Sequence, residues 1–376
     1  MQIIGVDGNE ANVEERVGVH QYSFELLWAI YKLRPSWQNK YRFIIFLKNQ
    51  PGDNLPKQNG SWIYRILPGG KFWVLRKLTP ALLGEKKIKL FFSPSHYLPP
   101  IPFIRQICTI HDLGYLKFSG QFEKIDFWQL KYWSAISIYI SKYIITVSNF
   151  SKKDIVRHYP GVAKKIVVTH HGYNKSRFNN KISRQDVRRV TDKYRIGKNY
   201  ILYLGTLKPS KNIEGILNAF AHVSKKFIDT KLVIAGRKGW LYESIYKQAK
   251  KLRLGKRVVF TGFVSEEDKP ALLSGARVFV SPSFWEGFGL QVLEAMACGT
   301  PVVVSNIASL PEVSGNAAIY VNPNSPMSIA KATERFLKMS ENEYKIFVKK
   351  SLKQASQFSW KTTAQRTLEI FDKALT

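Results

Sequence analysis

The stretch Val278–Glu312 reads VFVSPSFWEGFGLQVLEAMACGTPVVVSNIASLPE. It opens on an apolar run, Val278–Ser281, of the kind that forms a buried strand. Pro282 and Ser283 end that run, and Glu286-Gly287-Phe288-Gly289-Leu290 follows as a glycine-bearing loop. Glycine lets backbone approach a ligand closely. A helix is expected over Val292–Ala297, carrying Glu294, and a second strand over Pro301–Ser305. Strand, loop, helix and strand in this order build a parallel sheet covered by helices. The amides of Phe288, Gly289 and Leu290 fall at the helix start, where unpaired N–H groups and the helix dipole suit an anion.

The same alternation extends upstream. Tyr200–Leu204, Lys231–Ala235 and Val258–Thr261 read as strands. Ile213–Phe227, Leu241–Leu252 and Lys269–Ser274 read as helices between them. The N-terminal half repeats the theme, with strands at Gln2–Val6, Tyr41–Leu47, Trp62–Leu67, Leu90–Phe92, Gln106–Ile110 and Tyr143–Val147. In Tyr22–Leu33, Phe24, Leu27, Ile30 and Tyr31 recur close to helical spacing. Around Lys175–Lys198 the pattern pauses in polar, turn-rich sequence. The expected architecture is therefore α/β with two tandem domains: residues 1–180, a linker at 181–198, and a second domain at 199–355. Ligands of open α/β sheets bind beyond the carboxyl ends of the strands, so the site is expected in the cleft between the domains.

Composition agrees with this and narrows the partners. A chain of 376 residues, 45% hydrophobic and 23% charged, is globular and long enough for two domains. The net charge is +31. Residues 1–180 carry 26 basic and 11 acidic side chains, and residues 181–376 carry 32 and 16. Both halves are thus equally basic, which favours anionic partners in general over one nucleic-acid stripe. The two cysteines, Cys108 and Cys298, read as separate core thiols of a reducing compartment. The N-terminus carries Asp7 and Glu10, unlike a signal peptide, and the longest charge-free stretches are broken by Pro or Gly. A cytoplasmic protein is expected.

The segment around Glu286-x7-Glu294 resembles the EX7E motif of retaining GT-B glycosyltransferases of family 4. A bare E-x7-E says little; WEGFGLQVLEAMACGTPVVVS around it carries the resemblance. Tyr203-Leu-Gly-Thr-Leu-Lys-Pro-Ser-Lys-Asn212 is similar to the family's G-x-x-x-P-R-K-N segment, whose cations hold the donor diphosphate. Gly205 and Lys211 match, whereas Ser210 stands where the family has Arg, and Lys208 is the candidate for the second cation. Val258–Ser265 resembles the segment around the base, which assigns Phe263 and Val264 there. Thr109-Ile-His-Asp-Leu-Gly114 matches the family's HDL, so His111 is the candidate beside the transferred sugar. The other six histidines read as incidental. In Arg16–Tyr22 the family's G-x-G keeps Gly18 but has His20 for the second glycine; at His170-His171-Gly172, Gly172 is kept and Asn is replaced.

The resemblance implies two Rossmann-like domains in the GT-B arrangement, with residues 356–376 as a helix crossing back to the first. It implies a retaining transfer of a hexose from a nucleotide-diphosphate sugar, with GDP-mannose the first candidate and UDP-hexoses next. The acceptor would be a glycan or a lipid-linked glycan of cell-surface polysaccharide. Glu286 would bind donor sugar hydroxyls and Glu294 the ribose; Phe288, Gly289 and Leu290 would offer their amides to the diphosphate. The chain has no DxD, the usual metal-holding signature, so no metal and no cofactor is expected, with Lys211 and helix amides in that role. Two aromatic and basic stretches, Lys71–Lys77 and Phe122–Trp133, suit an anionic membrane surface and peripheral contact at its inner face. Two readings compete: a GT-B relative acting as phosphorylase or epimerase, and a basic nucleic-acid-binding protein. Against the second, no RNP, C2H2 or KH signature is present.

Overall fold

Apolar runs alternating with helices build two parallel sheets in this computed structural model, which describes residues 1–121 and 123–376. The first sheet contains β1 (Gln2–Asp7), β2 (Tyr41–Leu47), β3 (Trp62–Ile66), β4 (Ile88–Ser93), β5 (Arg105–Ile110), β6 (Tyr143–Thr146) and β7 (Ile166–Val168). Their order is β3-β2-β1-β4-β5-β6-β7. All their pairings are parallel. Chain direction across the sheet reverses between β1 and β4. Ligands of such sheets bind beyond that reversal.

Helix α1 (Val19–Lys32) covers one face, and α2 (Lys124–Ile140) links β5 to β6. The last helix, Trp360–Leu375, completes this unit, with Phe371 5.2 Å from Phe92 and 6.4 Å from Phe43 between ring centres. Gly172 is required here: a Cβ on it would sit 1.9 Å from the Trp360 amide nitrogen. The unit therefore combines Met1–Lys117, Glu123–Gly172 and Ser359–Thr376. Its boundary precedes residue 180, and the returning segment begins at Ser359, not at 356.

The second sheet contains β8 (Tyr200–Leu204), β9 (Lys231–Ala235), β10 (Val258–Gly262), β11 (Val278–Ser281), β12 (Val302–Ser305) and β13 (Ala318–Val321). The order β10-β9-β8-β11-β12-β13 reverses between β8 and β11, again with parallel pairing throughout. Tyr200–Leu204 and Val278–Ser281 are buried along their whole length. That is why they read as continuous apolar runs and not as alternations.

Residues 181–198, expected as a linker, are part of this second unit. They contain α3 (Arg184–Lys193), whose Arg189 and Lys193 side chains, with that of Tyr194 just beyond its end, all donate to the buried carboxylate of Asp268. The remaining helices that matter are α4 (Ile213–Lys226), α5 (Lys269–Ser274) and α6 (Leu290–Ala297). Cys108 and Cys298 are free and buried, and burial pushes both thiols up to about 12, as inert core thiols require. In Lys71–Lys77, Trp73 is buried and donates to the Leu67 carbonyl, leaving Phe72 and Leu75 as the exposed apolar residues. Phe122, first residue of the other aromatic stretch, lies outside the described residues.

Candidate active site

In the second unit the loops after β8 and β11 meet at the sheet reversal. Lys211 Nζ lies 2.6 Å from Glu286 Oε1, and Ser283 Oγ donates to the same oxygen at 3.0 Å. Lys211 and Glu286 are only 16% and 12% exposed, so the pair is screened little by water. Asn212 makes this placement rigid. It adopts a left-handed conformation, φ 56°, and its side-chain amide donates to the carbonyls of Pro282 at 3.0 Å and Pro323 at 2.7 Å. Gly215 leaves space for it, since a Cβ there would lie 2.3 Å from Asn212 Oδ1. The Phe284 amide donates to the Ser210 carbonyl, and Ser210 is buried.

The β11 loop is held from beneath as well. Ser305 Oγ donates to the Ser283 carbonyl, and Ser309 Oγ reaches the carbonyls of both Glu286 and Phe288 at 2.9 Å. Gly289, at φ 97°, turns the chain into α6; a Cβ there would meet Leu310 at 2.7 Å. Val292 and Leu293 donate to the Gly289 carbonyl, which closes the first turn of α6. Leu290 and Phe288 are themselves buried, so their side chains belong to the core of the unit. Glu294, one turn into α6, is 5% exposed.

The turns after β8 and β9 run backbone to backbone. Gly205 donates to Ala235, Leu207 to Arg237 and Gly239 to Leu207. A Cβ on Gly236 would lie 1.9 Å from the Gly205 carbonyl oxygen. Lys208 caps the short turn Pro209–Lys211 and is half-buried. Beyond β10, Val264 is buried and Phe263 half-buried, so of the two residues expected beside a base only Phe263 presents surface.

In the first unit a different chemistry gathers at the reversal. His111 follows β5 directly. Its Nε2 donates to the Pro94 carbonyl at 3.1 Å, which leaves Nδ1 of the neutral ring as an acceptor. Burial pushes its pKa down, against the Pro94 hydrogen bond and nearby Asp112 and Glu10, so the ring is neutral at neutral pH. Burial likewise lowers His96 to about 4. Asp7, at the end of β1, is raised by burial to about 6 despite accepting from the Asn9 amide and side chain. Glu10 resists burial because His20 Nε2, 3.1 Å away, hydrogen-bonds it; its pKa falls below the usual range. Gly18 starts α1 at φ 52° and ψ −110°, a conformation open to glycine.

The expectation that the other histidines are incidental is corrected here. His171 is buried, stacks on Trp360 at 5.5 Å and lies 5.0 Å from the Tyr22 ring, which meets His111 edge-on at 4.7 Å. Nothing in the doublet His170-His171 signals this, because its partners come from the far end of the chain. Glu10 was also missed; an acid three residues beyond a strand end was the available signal.

The family model described as "Glycosyl transferases group 1" matches residues 186–354, all within the second unit. O-antigen chain mannosyltransferase B of Escherichia coli is 32% identical over 336 residues, 89% of this chain and 83% of that protein. The chain belongs to glycosyltransferase family 4. This glycosyltransferase has the GT-B fold: a sucrose-phosphate synthase from Thermosynechococcus elongatus covers 99% of both chains with a TM-score of 0.76 at 20% identity. An Anabaena protein, HepE, solved in complex with UDP-glucose, covers 99% of this chain and 100% of its own with a TM-score of 0.75 at 17% identity. Membership in the family decides for the transferase over the phosphorylase, epimerase and nucleic-acid readings. Two of the departures from the family pattern, Ser210 and His20, now have local contexts. Ser210 is buried beneath the β11 loop, and His20 is paired with Glu10.

Proposed function

We propose that this glycosyltransferase moves a hexose from a nucleotide-diphosphate sugar to a glycan or lipid-linked acceptor of cell-surface polysaccharide, with retention and without a metal ion. GDP-mannose is the first candidate donor and UDP-hexoses the next. The name of the E. coli relative supports mannose and a polysaccharide product. The UDP-glucose bound to HepE supports a nucleotide-sugar donor.

One observation carries the reading: a shielded Lys211–Glu286 pair beside the start of α6. Breaking the bond between sugar and diphosphate leaves negative charge on the departing oxygens and positive character on the sugar carbon. Lys211, with the helix amides at Gly289 and Leu290, meets the first. Released from Lys211 by the competing diphosphate, Glu286 accepts hydrogen bonds from donor hydroxyls, and Glu294 accepts from the ribose. His111, neutral with Nδ1 unprotonated, is an acceptor for a sugar hydroxyl. Gly18 and Gly205 let backbone come close to the ligand. Attack on the face the diphosphate leaves would preserve the anomeric configuration.

Calorimetric titration of GDP, UDP, dTDP and CDP, with EDTA and then with Mg2+, tests this on the wild type and Glu294→Ala. One tight nucleotide, unaffected by EDTA and weakened by the substitution, is expected. Turnover of the matching sugar donor, with the product anomer read by NMR, then tests retention. Absence of binding by all four nucleotides would overturn the donor assignment.

A further inference from the structure

Glu10 stands where the first sheet reverses direction. Val6 of β1 pairs with Phe92 of β4, and Glu10 and His96 each follow that pair by four residues. They therefore leave neighbouring strands at the same level, with His111 directly after β5. The turn that carries Glu10 is fixed from both sides. Asn9 donates to Asp7 from its amide and its side chain, and the Lys48 amide donates to Asn9 Oδ1 at 2.7 Å. Ala11 and Asn12 donate back to the Gly8 carbonyl. His20 Nε2 lies 3.1 Å from Glu10 Oε2. Such a carboxylate is held in place, unlike a freely solvated side chain.

The charge and the open valences of this cluster select its occupant. Burial raises the Glu10 carboxyl, yet the His20 hydrogen bond and the neighbouring imidazoles together outweigh it, so the group is ionised at neutral pH. His20 Nδ1 and His96 Nε2 are buried nitrogens with no hydrogen-bond partner among the described residues. Unpaired buried nitrogens cost stability, and two of them flanking one carboxylate point to a functional site. Among the described residues no group of three His, Cys, Asp or Glu side chains is placed to hold a metal ion, which removes a metal as the occupant of this cluster. A phosphate is repelled by the ionised carboxylate. Two cations of the nearby loops are turned to aromatic rings: Lys48 Nζ lies 5.7 Å from the Trp73 ring centre, and Arg16 lies 3.7 Å over Phe24. An uncharged hydroxyl fits, because it donates to a carboxylate without bringing charge. The half-buried Tyr97 ring, 4.0 Å from the His96 ring, adds an apolar face of the kind that lines ligand sites.

We propose that Glu10, oriented by His20, binds the acceptor through a hydroxyl of an uncharged sugar and disfavours acceptors that bring a phosphate to this place. Glu10 touches the acceptor, and His20 is a positioning residue that acts through it. Glu10 accepts a hydrogen bond and exchanges no proton. His20 stands where the family pattern has glycine, so the pair is a device of this chain's own sequence. The assignment rests on the transferase reading above and narrows its acceptor. A carrier lipid would offer a sugar already attached to it, and not its own phosphate, as the group that receives the hexose.

The test is saturation-transfer difference NMR on the full chain without nucleotide. The probes are the methyl glycosides of mannose, glucose and N-acetylglucosamine, and the same glycosides phosphorylated on the primary hydroxyl. Wild type is expected to bind at least one neutral glycoside about tenfold more tightly than its phosphorylated form. In Glu10→Gln the neutral glycoside is expected to weaken about fivefold while the phosphorylated one strengthens, opposite changes that a misfolded site would not give. His20→Gly is expected to weaken the neutral glycoside, and His20→Gln, which keeps an N–H for Glu10, to restore it. Equal affinity of wild type for both forms would overturn the proposal. So would absence of binding by every neutral glycoside, or a neutral affinity unchanged in Glu10→Gln, or a parallel fall of both forms. Nucleotide titration of the same proteins separates the two readings. Glycoside binding that depends on Glu10, in a chain that binds no nucleotide, would leave this site standing and remove only the donor reading.

Discussion

The two sheets end alike in topology and unlike in chemistry. Both reverse direction beside their first strand, β1 in one and β8 in the other. At the second reversal stand an ammonium, a carboxylate and a helix start, all fixed by side-chain hydrogen bonds to neighbouring loops. At the first stand neutral imidazoles and aromatic rings, with one ionised carboxylate, Glu10, held by His20. In the proposed function a highly charged diphosphate takes the former and uncharged sugar hydroxyls the latter. One fold thus carries two chemistries because the residues placed beyond the strands differ, not the sheets.

The sharpest way to break this contrast is to remove the cation. Lys211→Ala is expected to lower kcat/KM by about 10²–10³, roughly 3–4 kcal/mol of transition-state stabilisation, in donor-saturation kinetics. In a double-mutant cycle with Glu286→Ala the effects are expected to be strongly non-additive, since each residue is the other's partner. Additive effects would show that the pair does not work as a unit.

On the other side, Gly172→Ala is expected to cost about 3 kcal/mol through collision with the Trp360 backbone. Thermal unfolding and earlier proteolysis of the C-terminal helix would report it. Nucleotide affinity, carried by the second unit, is expected to hold. Asn212→Ala inverts that pattern. It leaves the buried carbonyls of Pro282 and Pro323 without their donor and costs about 2 kcal/mol, with weaker nucleotide binding by calorimetry.

The smallest effect concerns acid. His96 titrates near 4 when folded against an ordinary 6.5, so between those values the unfolded chain binds the extra proton and stability falls as pH drops. Asp7 runs the other way. Raised from 3.8 to about 6, it binds its proton in the folded state, and its contribution is lost as pH rises through that window. Asp7→Asn removes the opposing slope and keeps the acceptor for Asn9. At pH 7–8 the variant is expected to be more stable by up to about 3 kcal/mol, seen as a higher melting temperature. Below pH 6.5 stability is then expected to fall more steeply than in wild type. An unchanged profile would place the titration elsewhere.

How much of this was legible follows from the range of the interactions. Tyr200–Leu204, Lys231–Ala235, Lys269–Ser274 and Val278–Ser281 have the same limits in sequence and in structure, because apolar runs stop at Gly, Pro or polar residues. Lys211 and Glu286 were legible because local motifs carry them. Arg184–Lys193 read as a linker because Val190 and Thr191 are its only buried residues. Its hold on Asp268 spans about 75 positions and leaves no periodicity. His171 was hidden for the same reason, as were the contacts of Asn212 to Pro282 and Pro323, although its place in the motif was legible; the short strands Ile166–Val168 and Ala318–Val321 give too little pattern to delimit. In α2 the aromatic and basic stretch up to Trp133 was legible, whereas the outward facing of Ile136, Tyr139 and Ile140 was not, since the Ser137 and Trp133 anchors on Leu98 set it.

The return of Ser359–Thr376 to the first unit bears on how the chain is made. Synthesis makes most of that unit before Tyr173–Phe358 and its last helix after. At about 5–20 residues per second, the first sheet waits roughly 10–40 s for its last helix. During that interval Phe43 and Phe92 lack the Phe371 ring that packs against them in the finished protein. The half of the molecule translated first is therefore completed only after the second unit has emerged, and a ribosome stalled before Ser359–Thr376 is made would hold an apolar seam open to chaperones.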